Sequence, residues 1–130
     1  MSRAGCRPVL VVEDDRDVLD AVVEVLEEHG YVPLRAANGI EALERARNAE
    51  PKPCLILLDV MMPVMDGPAF RVAQQADPTL DRIPVVVLTA HANVEAAARE
   101  MKAAGWLKKP VRLAQLIDTV RQYCQEPGGQ

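Results

Sequence analysis

Two apolar patterns alternate along this chain. Val9-Leu10-Val11-Val12, Leu55-Ile56-Leu57-Leu58 and Val85-Val86-Val87-Leu88 are unbroken aliphatic runs, and each gives way to polar residues. Runs of this kind leave no solvent-facing side and read as strands buried on both faces. The first run, entered at Pro8, ends at Glu13-Asp14-Asp15. Next, Val18, Leu19, Val22, Val23, Val25 and Leu26 recur at helical spacing. Asp15 is placed to cap that helix, and Asp17 favours its positive end. His29-Gly30 closes it, with the glycine suited to a left-handed C-terminal turn. Tyr31 to Ala36 reads as a short second strand. Asn38-Gly39 opens a second helix with Ile40, Leu43 and Ala46 on one face. Glu50-Pro51-Lys52-Pro53 breaks the chain before the third strand.

A weak third helix is expected over 67–76, stopped by Asp77-Pro78-Thr79. The fourth strand, from Ile83, ends at Thr89-Ala90. An Ala-rich helix over 93–104 is closed by Gly105, and Trp106-Leu107-Lys108 forms a brief fifth strand. Leu113, Leu116, Ile117 and Val120 mark the last helix, and Pro127-Gly128-Gly129 a loose tail. Strand and helix alternate five times. That pattern predicts an α/β three-layer sandwich, a flavodoxin-like (βα)5 fold with a parallel five-stranded sheet of order 2-1-3-4-5. The length of 130 residues fits one domain, with an ordered core over about 7–125.

Composition narrows the picture. Hydrophobic residues make up 49% and aromatics only 3%, so the core must be aliphatic. A net charge of -4 with interspersed signs gives no basic stripe and argues against a nucleic-acid partner. No run is long enough for a membrane span, and the first residues lack the apolar segment of a signal peptide. Cys6, Cys54 and Cys124 are odd in number and far apart. They suggest neither a metal site nor a disulfide framework, and reduced thiols in the cytoplasm are expected.

The chemistry gathers where the strands end. Strand 1 ends in Glu13-Asp14, strand 3 in Asp59, strand 4 in Thr89-Ala90 and strand 5 in Lys109-Pro110. In a parallel sheet these positions share one edge. Carboxylates brought close raise one another's pKa and call for a counter-charge. Oxygen-only ligands suit Mg²⁺. Acids, a divalent metal, a lysine and a hydroxyl are what a carboxylate needs to accept a phosphoryl group.

These residues resemble the receiver domain of bacterial two-component response regulators, of the single-domain, chemotaxis-regulator-like kind. The resemblance rests on Val11-Val12-Glu13-Asp14, on Leu58-Asp59-Val60-Met61-Met62-Pro63-Val64-Met65-Asp66-Gly67, on Leu88-Thr89-Ala90 and on Lys109-Pro110. It implies that Asp59 is the phospho-acceptor, served by a sensor histidine kinase or a histidine phosphotransfer protein. It implies Mg²⁺ held by Glu13, Asp14, Asp59 and the backbone carbonyl of Met61. Thr89 and Lys109, with Ala90 beside them, would hold the phosphate, and Trp106 would take the place of a switch aromatic. Lys109–Pro110 would be a cis peptide. The implied protein is a phosphorylation-driven switch and not an enzyme beyond weak self-phosphorylation and self-dephosphorylation. It would act on an unknown downstream protein through the face of helix 4, strand 5 and helix 5, as a monomer or a weak phosphorylation-dependent dimer. Nothing after the fifth helix reads as an output domain.

Two departures stand out. Trp106 follows Gly105 directly, a shorter connection than the family usually carries, which implies a displaced fourth helix and an altered signalling face. Met61 replaces a polar residue two positions after Asp59, which implies a different water arrangement. The same Met61 argues against an Asp-nucleophile phosphatase, which needs a second acid there. A constitutive interaction module with vestigial phosphorylation is the alternative, opposed by the complete set of acids, Thr89 and Lys109. Asp66-Gly67 reads as turn chemistry, His29 as a helix-end residue, and Met61, Met62 and Met65 as loop packing. His91, near the pocket mouth, reads as a solvated side chain.

Overall fold

In the computed structural model, residues 7–90 and 92–124 are described, and His91 lies outside them. Aliphatic runs become β1 (Val9–Val12), β3 (Leu55–Asp59) and β4 (Val85–Thr89), every residue of which is buried. They form the centre of a parallel sheet ordered β2-β1-β3-β4-β5, with β2 (Pro33–Ala36) and β5 (Gly105–Lys108) as edges. The edge strands carry exposed positions, because only one side of each is paired.

Alternation along the strands sorts the core into two layers. Val9, Val11, Leu55, Leu57, Val86, Leu88 and Leu107 pack with α1 (Arg16–Glu28) and α5 (Leu113–Tyr123). Leu10, Val12, Ile56, Leu58, Val85 and Val87 face α2 (Gly39–Asn48), α3 (Gly67–Gln75) and α4 (Val94–Glu100). The fold is the three-layer sandwich expected, with β4 beginning two residues later than Ile83 and β2 two residues later than Tyr31.

Helix starts follow local chemistry. The Asp15 carboxylate accepts the N–H groups of Asp17 and Val18 at 3.0 and 3.3 Å. Asn38 accepts from Glu41 at 3.0 Å, and Asp66 from Ala69 at 2.9 Å. Each cap supplies a partner to an N–H that the helix itself cannot satisfy, worth about 1 kcal/mol. Gly30 has φ 86°, the left-handed turn expected after α1.

Several expectations need correction. The fourth helix ends at Glu100, with Met101 as its cap, and does not run to Ala104. Lys102 takes φ 54°, and the Ala103 N–H bonds to the Ala98 carbonyl at 2.9 Å. Gly105 therefore closes no helix; it is the first residue of β5, opposite Val86. The short connection is absorbed by stopping α4 early. Ile40 and Leu113 are 44% and 60% exposed, so the stripes of α2 and α5 are narrower than they read. Ala42, Leu43 and Ala46 carry α2's buried face, and Leu116, Ile117 and Val120 that of α5.

The largest correction concerns the cysteines. Cys54 and Cys124 form a disulfide with Cα atoms 5.5 Å apart, spanning 70 positions of sequence. The α5 C-terminus folds back onto the foot of β3, which is why two thiols remote in sequence meet. Cys6 lies outside the described residues. Besides Lys109–Pro110, Glu50–Pro51 is also cis, which the sequence did not suggest.

Candidate functional site

The carboxyl edge of the sheet assembles the acidic site. Glu13 and Asp59 each stand one step beyond, or at, the end of a strand whose odd-numbered residues face α1 and α5. Lys109 follows β5 with the same parity as Leu107, so all three converge on one side of the edge. Ligand oxygens from Glu13, Asp14 and Asp59 all lie within 4.8 Å of one another. Glu13 and Asp59 are buried, and Asp14 is exposed toward solvent.

The lysine does not sit midway. Lys109 Nζ is 2.5 Å from Glu13 Oε1 and 3.6 Å from Asp59 Oδ2. Glu13 Oε2 accepts the Asp15 N–H at 3.1 Å. Glu13 therefore takes the short ion pair and a backbone N–H, while the ion pair of Asp59 is the longer one. That difference shows in the charge state. Burial, then the neighbouring Glu13 charge, outweigh Lys109 and push the Asp59 carboxyl up to about 7. Burial alone would lower Lys109, but its hydrogen bond to Glu13 and the charges of Asp59, Glu13 and Asp14 raise it above its ordinary value. Three carboxylates face one ammonium, so full ionisation leaves an excess of two negative charges. An oxygen-only set with that deficit fits a hard divalent cation.

The loop between β3 and α3 fixes the acceptor's backbone. The Gly67 N–H donates to the Val60 carbonyl at 2.9 Å. A Cβ on Gly67 would lie 2.7 Å from the Asp59 carbonyl oxygen, so only glycine lets α3 start this close to the strand end. Asp66-Gly67 is thus a cap and a close approach, extending the turn role read from sequence. At the other side of the loop, the Gly39 N–H donates to the Met65 carbonyl at 2.9 Å. Met61 and Val64 are exposed at 69% and 80%, and Val64 has φ 68°.

Thr89 is buried at the end of β4, and its carbonyl accepts the Lys109 N–H at 2.9 Å. Lys109–Pro110 is cis. Ala90 follows at the exposed strand exit. Trp106 stands opposite Val87 on the edge strand and is 47% exposed, its indole outward. The structure therefore brings Glu13, Asp14, Asp59 and Lys109 into contact range and sets Thr89 beside them, with Trp106 at the rim of the sheet. Sequence reasoning missed the Asp15 N–H on Glu13 and the Gly67 approach to Asp59. The Asp-Asp and Asp-Gly pairs were their only local signals.

Comparison with known proteins agrees with this geometry. Residues 9–121 match the response regulator receiver domain, and the chain belongs to that family. Over 119 residues it is 32% identical to the polar-differentiation response regulator DivK of Brucella anthropi, covering 90% of this chain and 95% of that one. It is 38% identical to the response regulator MprA of Mycobacterium ulcerans over 87% of this chain, which is only 48% of that longer protein. Among solved structures, the Vibrio cholerae chemotaxis protein CheY4 superposes with a TM-score of 0.82 at 31% identity, over 92% of this chain and 99% of that one. The receiver domain of a Pseudomonas aeruginosa sensor histidine kinase, with a magnesium ion coordinated in its active-site cleft, gives 0.80 at 27% identity over 92% and 98%. The protein is a phospho-accepting response regulator receiver, a class distinct from classical enzymes.

Proposed function

We propose that Asp59 is the phospho-acceptor of this receiver. The observation that carries the assignment is the electrostatics of the site: Asp59 is the buried acid left with a weak ion pair, its carboxyl lifted to about 7 by burial and by Glu13. Such a group is a competent nucleophile once a cation lowers its pKa. Asp14, Asp59 and the Met61 carbonyl would hold Mg²⁺ directly, with Glu13 contributing through water because its oxygens already serve Lys109 and Asp15. Bound Mg²⁺ supplies the positive charge that keeps Asp59 ionised and offsets charge on the incoming phosphoryl group. The magnesium-loaded Pseudomonas aeruginosa receiver supports this choice.

An Asp59 carboxylate oxygen attacks the phosphorus of a phosphohistidine. The new O–P bond forms as the N–P bond breaks, and the imidazole leaves with the donor protein. Lys109 then turns from Glu13 to a phosphoryl oxygen, and the Thr89 hydroxyl donates to another, with Ala90 giving way beside it. The sensor kinase or phosphotransfer protein docks over this edge. The whole 130-residue chain works as one receiver unit in the cytoplasm, where phosphohistidine donors are made from ATP. Self-phosphorylation and self-dephosphorylation are weak. Trp106 and Leu113, exposed on β5 and α5, offer apolar contacts to a downstream protein on the α4-β5-α5 face.

The test is labelling by a small acyl phosphate with Mg²⁺. The native chain gains a hydroxylamine-labile phosphoryl group, and Asp59→Asn gains none. Equal labelling of the variant overturns the assignment. Omitting Mg²⁺ should abolish labelling; undiminished labelling in chelator removes the metal from the scheme.

A further inference from the structure

At the end of the sheet opposite Asp59, the Cys54–Cys124 bond joins the foot of β3 to the C-terminal cap of α5. Both residues are 4% exposed. The Cys54 N–H is held by the Pro8 carbonyl at 2.9 Å, and the Arg7 guanidinium closes over this end through the Lys52 and Pro53 carbonyls at 2.9 and 2.6 Å. β3 follows Cys54 directly and ends at Asp59. The segment after Lys109–Pro110 runs through α5 to Cys124. The bond therefore ties together the far ends of two elements whose near ends carry the acceptor and its lysine, 3.6 Å apart.

We propose that Cys54 and Cys124 are a reversible dithiol–disulfide site that couples redox state to the response at Asp59; this rests on the acceptor reading above. The bond is compatible with the arrangement in which Lys109 grips Glu13 at 2.5 Å. A phosphoryl group on Asp59 must draw Lys109 away, and the chain from Lys109 into α5 follows. Apart from the disulfide, α5 is held by the buried Leu116, Ile117 and Val120 and by Tyr123, whose hydroxyl donates to the Ala104 carbonyl at 3.5 Å, and its first turn has no side-chain cap. Oxidation pins the far end of α5 and opposes that movement, and reduction frees it. Cytoplasmic thiols hold such a pair as the dithiol, and the disulfide forms when the surrounding thiol pool is oxidised.

The exchange balances with a small-molecule disulfide as the oxidant. A cysteine thiolate attacks a small-molecule disulfide such as oxidised glutathione, giving a mixed disulfide and one released thiol. The second cysteine then displaces the second thiol. The two protein thiols lose two electrons and two protons, and the small disulfide becomes two thiols. Because the sulfurs are buried, the reverse reaction waits for the last turn of α5 to open. Anything that loosens α5 therefore speeds reduction.

The experiment uses the full chain equilibrated in oxidised or reduced glutathione. Thiol counting in denaturant should find one free thiol in the oxidised form, Cys6, and all three in the reduced form. Beryllofluoride with Mg²⁺ serves as the phosphoryl mimic, followed by Trp106 fluorescence and by thermal midpoint. The oxidised form should bind the mimic at least about threefold more weakly, and by linkage the mimic should shift the redox equilibrium toward the dithiol by the same factor. Cys54→Ala/Cys124→Ala should behave as the reduced form in either buffer, and Cys124→Ala alone serves if the double variant does not fold. Equal affinities in the two forms, or three free thiols in both, overturn the coupling. A chain that responds to the mimic in neither form overturns the acceptor reading and this coupling with it.

Discussion

The two ends of the central strands are built on opposite terms. At the amino end, Cys54, Cys124, Val9, Leu55 and Tyr31 share one apolar cluster, and a covalent bond closes it. At the carboxyl end, Glu13, Asp14 and Asp59 crowd around one lysine with charge left over. One end contributes stability, and the other gives some of it up to keep a reactive acid in place. The same strands serve both ends, so the cost at the site is offset by order elsewhere on the same elements.

The widest break in that comparison is removal of the disulfide. Closing 70 residues of sequence by a cross-link is worth about 4 kcal/mol in the chain-entropy account. Reduction, or Cys54→Ala/Cys124→Ala, should lower the thermal midpoint by on the order of 15 °C. Scanning calorimetry with and without a dithiol reads this directly. An unchanged midpoint would mean that the amino end does not carry the stability assigned to it.

The opposite change belongs at the carboxyl end. The folded-state pKa of Asp59 is raised from 3.8 to about 7. Folding therefore favours its protonated form: the benefit is complete below about pH 4, declines as pH rises through the window to about 7, and is gone above it. Without metal, Asp59→Asn should be more stable than the native chain at pH 8 by up to about 4 kcal/mol, and the gap should narrow toward pH 4. Urea melts in chelator across that range would show it. Added Mg²⁺ should close the gap at pH 8 from the native side. A gap independent of pH would show that repulsion at the site is not its source.

A third substitution tests the scaffold of the acceptor. Gly67→Ala places a Cβ 2.7 Å from the Asp59 carbonyl and 3.0 Å from the Val60 Cα. Backbone must move, and a cost of about 2 kcal/mol is expected from overpacking. The displaced strand end should also slow labelling of Asp59. Normal stability and normal labelling together would show that the loop yields without disturbing the acid.

Much of this molecule is legible from residue order, and the exceptions have physical causes. Aliphatic runs declare β1, β3 and β4 because burial on both faces admits nothing else. Asp15, Asn38 and Asp66 announce their helices because capping is local chemistry. The end of α4 is different. Nothing between Glu100 and Gly105 breaks a helix by type; Lys102 enters the left-handed region because the Ala104 N–H must reach the Val85 carbonyl at 2.8 Å to start β5. Strand pairing overrides a helix-favouring sequence. The site was legible as a set of strand ends because topology places them together. The preference of Lys109 for Glu13 over Asp59 was not, since it depends on distances of about an ångström. Cys54 and Cys124 were misread because a 70-residue separation carries no local signal, and only the packing of α5 brings them together.

The smallest effect sharpens the contrast at one exposed residue. Val64 sits at φ 68° at the tip of the β3–α3 loop, 80% exposed. A β-branched side chain crowds its own backbone there, and no packing repays the cost. The loop is held in this shape from both sides, by Met65 on the Gly39 N–H and by Gly67 on the Val60 carbonyl, each at 2.9 Å. Val64→Gly should relieve the strain and raise stability by about 1 kcal/mol, less the entropy glycine adds to the unfolded chain. Val64→Ala isolates the branch and should gain less. If the glycine variant is more stable and is labelled at the native rate, the strain is incidental to the site. If it is more stable but labelled more slowly, the strained tip is part of what holds Met61 and the metal-facing backbone in place. A loss of stability in both variants would show that Val64 is favoured at this position, and that the carboxyl end is less strained than its backbone implies.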